Sequence, residues 1–125
     1  MKYLMNEKIK ILYIDDEKTN LELFEYNFSD KYEVITECCG SKGLECLQKY
    51  PDIKIVISDM KMPNMSGLEF IAIATKIYTD KKYYILTGYD ITEEIKAALE
   101  SNLILGYFRK PFNIDEIENV ISKVI

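Results

Sequence analysis

An α/β fold built as one doubly wound parallel sheet is predicted by three properties of the chain. Runs of β-forming residues alternate five times with segments of helical periodicity. Two of those runs, IKILYI and IKIVIS, are almost unbroken apolar stretches, as parallel strands buried on both faces require. The connections are short, so each strand feeds a crossover helix, and right-handed crossovers leave few topologies. At 125 residues with 48% hydrophobic content, the chain has the length of one domain and can bury a full core.

Residues 9–14 (IKILYI) form the first predicted strand. Leu21, Phe24 and Phe28 then recur at helical spacing along residues 17–28, giving that segment one apolar face. Residues 32–36 (YEVIT) read as a second strand, and their polar-apolar alternation places it nearer an edge. Ser41 is expected to cap a helix that carries Leu44 and Leu47 and is closed by Pro51. Residues 53–58 (IKIVIS) make the most apolar strand, expected at the centre. A loop containing Pro63 leads to Gly67, and Ser66 caps a helix with Leu68, Ile71, Ala74 and Ile77 along one face. Residues 82–86 (KYYIL) are the fourth strand, ending at Thr87-Gly88. Asp90 and Glu93 have capping-box spacing ahead of a helix carrying Ile95, Ala98 and Leu99. Residues 104–108 (ILGYF) are the fifth strand. Asn113 and Glu116 repeat the box spacing before a last helix with Ile117, Val120, Ile121 and Val124.

No linker, internal repeat or low-complexity tract interrupts this order, so residues 1–125 are expected to form a single domain. The last helix reaches Ile125 without a Gly, Asn or Pro stop, which leaves open both a chain that ends there and a longer one. The net charge of −5 argues against direct nucleic-acid binding, which needs a basic face. No apolar run approaches the roughly 20 residues of a membrane span, and the start lacks a secretory apolar core, so a cytoplasmic protein is expected. Cys38, Cys39 and Cys46 lack zinc-type spacing and read as small apolar residues in a reducing compartment. The absence of histidine excludes Ser-His and Cys-His catalysis and any His-ligated metal. It also means that any phosphohistidine donor must be another molecule.

In an open α/β sheet, ligands bind outside the carboxyl ends of the strands. Asp15, Asp16, Asp59, Thr87 and Lys110 fall at those ends. Singly, each has an ordinary explanation: an acid after a strand is most often a turn or a cap, and Asp15-Asp16 suit a helix start. Their joint occurrence at four of the five strand ends points to a site. Three carboxylates at about 4 Å repel by about 4 kcal/mol per pair at an effective dielectric near 20. A hard divalent cation removes that conflict, and Mg²⁺ is well served by a few carboxylates, waters and a phosphate. With Asp15 and Asp16 as the metal-binding pair, Asp59 stands alone after the most apolar strand as the candidate nucleophile for an acyl phosphate. Lys110 can supply a positive charge, and Thr87 a hydroxyl donor, to the phosphoryl oxygens.

The stretches ILYIDDE, ISDMKMPNMSGLE, ILTG and GYFRKPF come in an order and at spacings that resemble the receiver domains of two-component response regulators, over essentially the whole chain. The resemblance implies a flavodoxin-like sheet of order 2-1-3-4-5. It makes Asp59 the phosphoacceptor, with a histidine kinase or phosphotransfer protein as donor. Asp15 and Asp16 become the acidic pair that holds Mg²⁺, and the backbone carbonyl of Lys61 a further ligand. Thr87 matches the switch hydroxyl, Tyr107 the rotating aromatic and Lys110 the lysine that pairs with the phosphoryl group. The Lys110-Pro111 bond is implied to be cis. Gly67 matches a family glycine, for which backbone permissiveness is the local reason. Gly88 departs from the more usual alanine. Lys61 and Tyr89 match positions that tune hydrolysis of the acyl phosphate. The implied output is a change in the face made by the last two helices and strand five, carrying Ile95, Leu99 and Ile121, which binds an output domain, a partner or a second copy. Two rival readings are a degenerate receiver that only docks partners and a small Mg²⁺-dependent aspartyl phosphohydrolase. Against the latter, Lys61 stands where such an enzyme has its second carboxylate, and no cap insertion is present.

Overall fold

The computed structural model describes residues 8–88 and 90–124. Ten elements alternate strictly: β1 (Ile9–Ile14), α1 (Lys18–Phe28), β2 (Tyr32–Glu37), α2 (Gly40–Lys49), β3 (Ile53–Asp59), α3 (Gly67–Ile77), β4 (Lys82–Thr87), α4 (Glu93–Glu100), β5 (Gly106–Arg109) and α5 (Ile114–Val124). The strands form one parallel sheet in the expected order β2-β1-β3-β4-β5. The most apolar strand, β3, is at the centre and the alternating β2 is at an edge.

The continuous apolar runs are explained by two cores, one on each face of the sheet. Ile11, Tyr13, Ile55, Ile57, Tyr84 and Leu86 point to one side, where Phe24 and Phe28 of α1 and Ile117 and Ile121 of α5 cover them. Leu12, Ile14, Val56, Tyr83 and Ile85 point to the other, beneath α2, α3 and α4. Successive strand residues thus feed opposite cores, so the buried middle positions of β1, β3 and β4 cannot be polar without cost.

Four details depart from the sequence expectations. The N-cap of α2 is Cys39, not Ser41, and no side chain caps that helix; the extended turn ends two residues earlier because Gly40 is already helical. The cap of α4 is Thr92, whose hydroxyl accepts from the Ile95 N–H at 3.2 Å, whereas Asp90 pairs with Arg109 at 3.4 Å. Strand β5 begins at Gly106 rather than at residue 104, because the N–H groups of Leu103 and Ile104 are used on Ala98 O to finish α4. Ile77 is 64% exposed, so the apolar face of α3 ends at Ala74. Ser66 caps α3 as expected, with Glu69 completing a capping box, and Asn113 Oδ1 accepts from the Glu116 N–H at 2.9 Å.

Candidate phosphoryl and metal site

The carboxyl ends of β1, β3, β4 and β5 meet at one edge of the sheet. Asp15 follows β1 and is wholly buried, Asp16 beside it is exposed, and Asp59 ends β3 with 4% exposure. One carboxylate oxygen from each lies within 4.8 Å of the others. Lys110, just after β5, brings its ammonium 3.0 Å from Asp59 Oδ1 and 3.5 Å from Asp15 Oδ2. The Lys110-Pro111 peptide is cis. Asp16, Asp59, Lys61, Gly88 and Lys110 line an open cavity of about 680 Å³.

Backbone bonds hold the strand ends together. Met60 N–H donates to Leu86 O, Lys110 N–H to Thr87 O and Gly67 N–H to Met60 O. This last contact explains Gly67 differently from expectation. None of the described glycines has positive φ; instead a Cβ at Gly67 would fall 2.3 Å from Asp59 O. The start of α3 lies too close to the backbone of Asp59 for any side chain. Gly88 is less constrained: its nearest neighbour to an added Cβ would be Lys110 Cδ at 3.8 Å, ordinary contact.

The electrostatics follow from burial and crowding. Burial pushes the Asp59 carboxyl up to about 6; the Lys110 hydrogen bond opposes this, and Asp15 and Asp16 add to it. Burial pulls the Lys110 ammonium down, but Asp59 and Asp15 outweigh it and leave it raised, so it remains a cation. Three carboxylates crowd together, and the Lys110 ammonium pairs with two of them. A hard divalent cation suits that surplus, since the donors are all oxygens and the described residues bring no nitrogen or sulfur ligand to the cluster.

Thr87 and Tyr107 belong to the opposite face. Thr87 is buried at the end of β4 and, with Met60, Lys61, Met62, Ser66, Thr92 and Ile95, lines a mostly apolar cavity of about 270 Å³. Tyr107 pairs in register with Ile85 and packs half-buried against the core beneath α4. Of the three apolar residues expected on the output face, Ile95 and Ile121 are wholly buried and Leu99 partly so; Leu105, at 48% exposure, is more accessible. Tyr89 lies outside the described residues.

Sequence reasoning missed Tyr13, read only as part of an apolar strand. Its hydroxyl donates to Asp15 Oδ2 at 2.7 Å, while Asp15 Oδ1 accepts from the Glu17 N–H at 2.9 Å. Burial and Asp15 hold the phenol well above its ordinary range, so it stays a donor. The signal was available: Tyr13 is two residues before Asp15, and extended backbone running off the end of β1 puts both on the same side.

The response regulator receiver domain model matches residues 11–122 of the chain. The chain belongs to this family. Sporulation initiation phosphotransferase F of Bacillus subtilis is 32% identical over 124 residues, 98% of this chain and 96% of that protein. The probable chemotaxis protein CheY of Rhizobium etli is also 32% identical, with 94% and 93% covered. Among solved structures, a receiver domain protein from Clostridium thermocellum gives a TM-score of 0.82 at 31% identity over 92% of both chains. Chemotaxis protein CheY4 of Vibrio cholerae gives 0.83 at 28% identity, covering 94% of this chain and 99% of that one. Other relatives are much longer proteins: the chain spans 24% of the hydrogenase transcriptional regulatory protein HoxA of Bradyrhizobium diazoefficiens. No helix among the described residues is long and apolar enough to cross a membrane.

Proposed function

We propose that this receiver, taken as one domain over residues 1–125, is a cytoplasmic phosphorylation switch whose phosphoacceptor is Asp59. The observation that supports it most is the meeting of a buried carboxylate with an ammonium at 3.0 Å, inside a cluster of three acids. A phosphohistidine on a kinase or phosphotransfer protein is the donor. An Asp59 carboxylate oxygen attacks phosphorus, the N–P bond breaks, and the electron pair leaves with the imidazole of the donor, yielding an acyl phosphate.

Asp15, Asp16, Asp59 and the Lys61 backbone carbonyl would hold Mg²⁺, which when bound supplies positive charge against the crowded carboxylates and the phosphoryl oxygens. Lys110 follows the transferred group, moving from carboxylate partner to phosphoryl partner at nearly the same place. Thr87 offers a hydroxyl to the new anion from the other side. Its movement would alter the cavity under Thr92 and Ile95, and Tyr107, two strand positions away through Ile85, would turn in response. The surface made by α4, β5 and α5, with Leu105 exposed on it, then changes its affinity for an output domain, a partner or a second copy. The protein thus serves as a switch, with no chemistry beyond gain and slow loss of its own phosphoryl group.

The test is intact-mass measurement after incubation with acetyl phosphate or a phosphorylated kinase domain. One phosphoryl group should be gained with Mg²⁺ present and none after chelation. Asp59→Asn should gain none; labelling that survives this substitution removes Asp59 from its role.

A further inference from the structure

Tyr13 stands outside every role assigned above, yet it touches the acidic cluster directly. Its ring is wholly buried and stacks on Phe24 with centroids 4.2 Å apart, which fixes where its hydroxyl can reach. That hydroxyl donates to Asp15 Oδ2 at 2.7 Å. A second donor competes for the same oxygen: Lys110 Nζ lies 3.5 Å from it and 3.0 Å from Asp59 Oδ1. One ammonium therefore sits between two buried carboxylates and leans toward Asp59. That lean requires Asp15 to be satisfied by something else, and the phenol satisfies it.

We propose that Tyr13 is a positioning residue: its hydroxyl holds the Asp15 carboxylate in place and leaves Lys110 to Asp59, so that Asp15 remains available to a divalent cation. This rests on the cation-site reading given above. An aliphatic residue would fill the same strand position and pack on Phe24, but it would leave a buried carboxylate short of one donor. Such a group takes the nearest donor remaining, because an unpartnered buried charge is costly. Here that donor is Lys110. Closing the 3.5 Å gap commits Asp15 to an internal ion pair and draws the ammonium away from Asp59. Glu17 N–H, bonded to the other oxygen, cannot prevent this, since it restrains Oδ1 and not Oδ2.

The experiment is a double-mutant cycle read by calorimetric titration with Mg²⁺ alone. Wild type, Tyr13→Phe, Lys110→Met and the double variant are compared, each first checked for a wild-type circular dichroism spectrum and a cooperative melt. Tyr13→Phe deletes one oxygen and keeps the ring stack; Tyr13→Leu carries the same outcomes if the Phe variant does not fold. With Lys110 present, loss of the hydroxyl should weaken Mg²⁺ binding about tenfold or more, the scale found for outer partners of ligating carboxylates. In the Lys110→Met background the same change should cost less than about threefold, because no ammonium is left to capture Asp15. A purely packing role for Tyr13 would give equal losses in both backgrounds. Equal losses, or a loss below about threefold with Lys110 present, overturn the proposal. A wild-type protein that binds no Mg²⁺ at millimolar concentration instead fails the cation-site reading itself.

Discussion

The two ends of the same parallel strands treat charge in opposite ways. At the amino ends three lysines have local partners: Lys10 pairs with Asp52, Lys81 lies 3.5 Å from Asp80 while donating to Pro51 O, and Lys8 donates to Ser29 O at 2.7 Å. At the carboxyl ends three carboxylates crowd together and Lys110 pairs with two of them. Lys81 is buried, but the Lys10–Asp52 pair is partly exposed and could be lost with little consequence. The carboxyl-end surplus is partly buried and holds Asp59 near a pKa of about 6, a standing cost to the fold. A sheet that neutralises charge at one end and accumulates it at the other keeps the second end for a ligand.

The largest way to break this contrast is to remove the ammonium that pairs with Asp59 and Asp15. Lys110→Ala should slow phosphoryl uptake from acetyl phosphate by about 10²–10³-fold, the usual effect of losing a charge-stabilising donor. It should also tighten Mg²⁺ binding, since an ammonium no longer competes with the metal. Phosphorylation at the wild-type rate would mean that Lys110 does not follow the transferred group.

A smaller effect should appear in the stability of the metal-free protein. The Asp59 carboxyl sits at about 6 in the fold against 3.8 ordinarily, chiefly through burial. The folded state therefore binds more protons than the unfolded state between those values, and stability falls as pH rises from about 4 to about 6, then levels. Allowing for solvent screening at a partly open site, the fall is on the order of 1–2 kcal/mol. In denaturant titrations with chelator, Asp59→Asn should lack this component and be more stable than wild type at pH 7. A variant less stable than wild type at that pH would show that Lys110 outweighs burial.

The smallest effect sharpens the comparison from the other end. Exchanging Lys10 and Asp52 together for Met and Asn should leave both the thermal midpoint and the rate of phosphoryl uptake unchanged within error. A measurable drop in uptake would show that the amino ends are coupled to the site after all.

Much of this was legible in the amino-acid order. IKIVIS announced a central strand because its consecutive apolar residues Ile55, Val56 and Ile57 can serve two cores, and Asp59 followed it directly. Asp15, Asp16 and Lys110 were placed at strand ends, and the expected sheet order brings those ends together. Caps were read less well. Ser41 and Asp90 were plausible, but Cys39 and Thr92 took the positions, because a cap is chosen by which residue is extended at the turn. Tyr13 was overlooked because tyrosine in a buried strand also reads as a core aromatic, and it is one, with a polar tip.

The sequence by itself determined which segments are strands, which residues follow them, and hence which chemical groups gather at one edge; these depend on periodicity and neighbours within a few residues. Only the tertiary structure decided that Asp15 is buried while adjacent Asp16 is exposed, that Lys110 leans to Asp59, and that Gly67 is needed for close approach rather than for its backbone angles. Those outcomes turn on atoms from segments remote in sequence competing for the same few ångströms, and no local pattern records who wins.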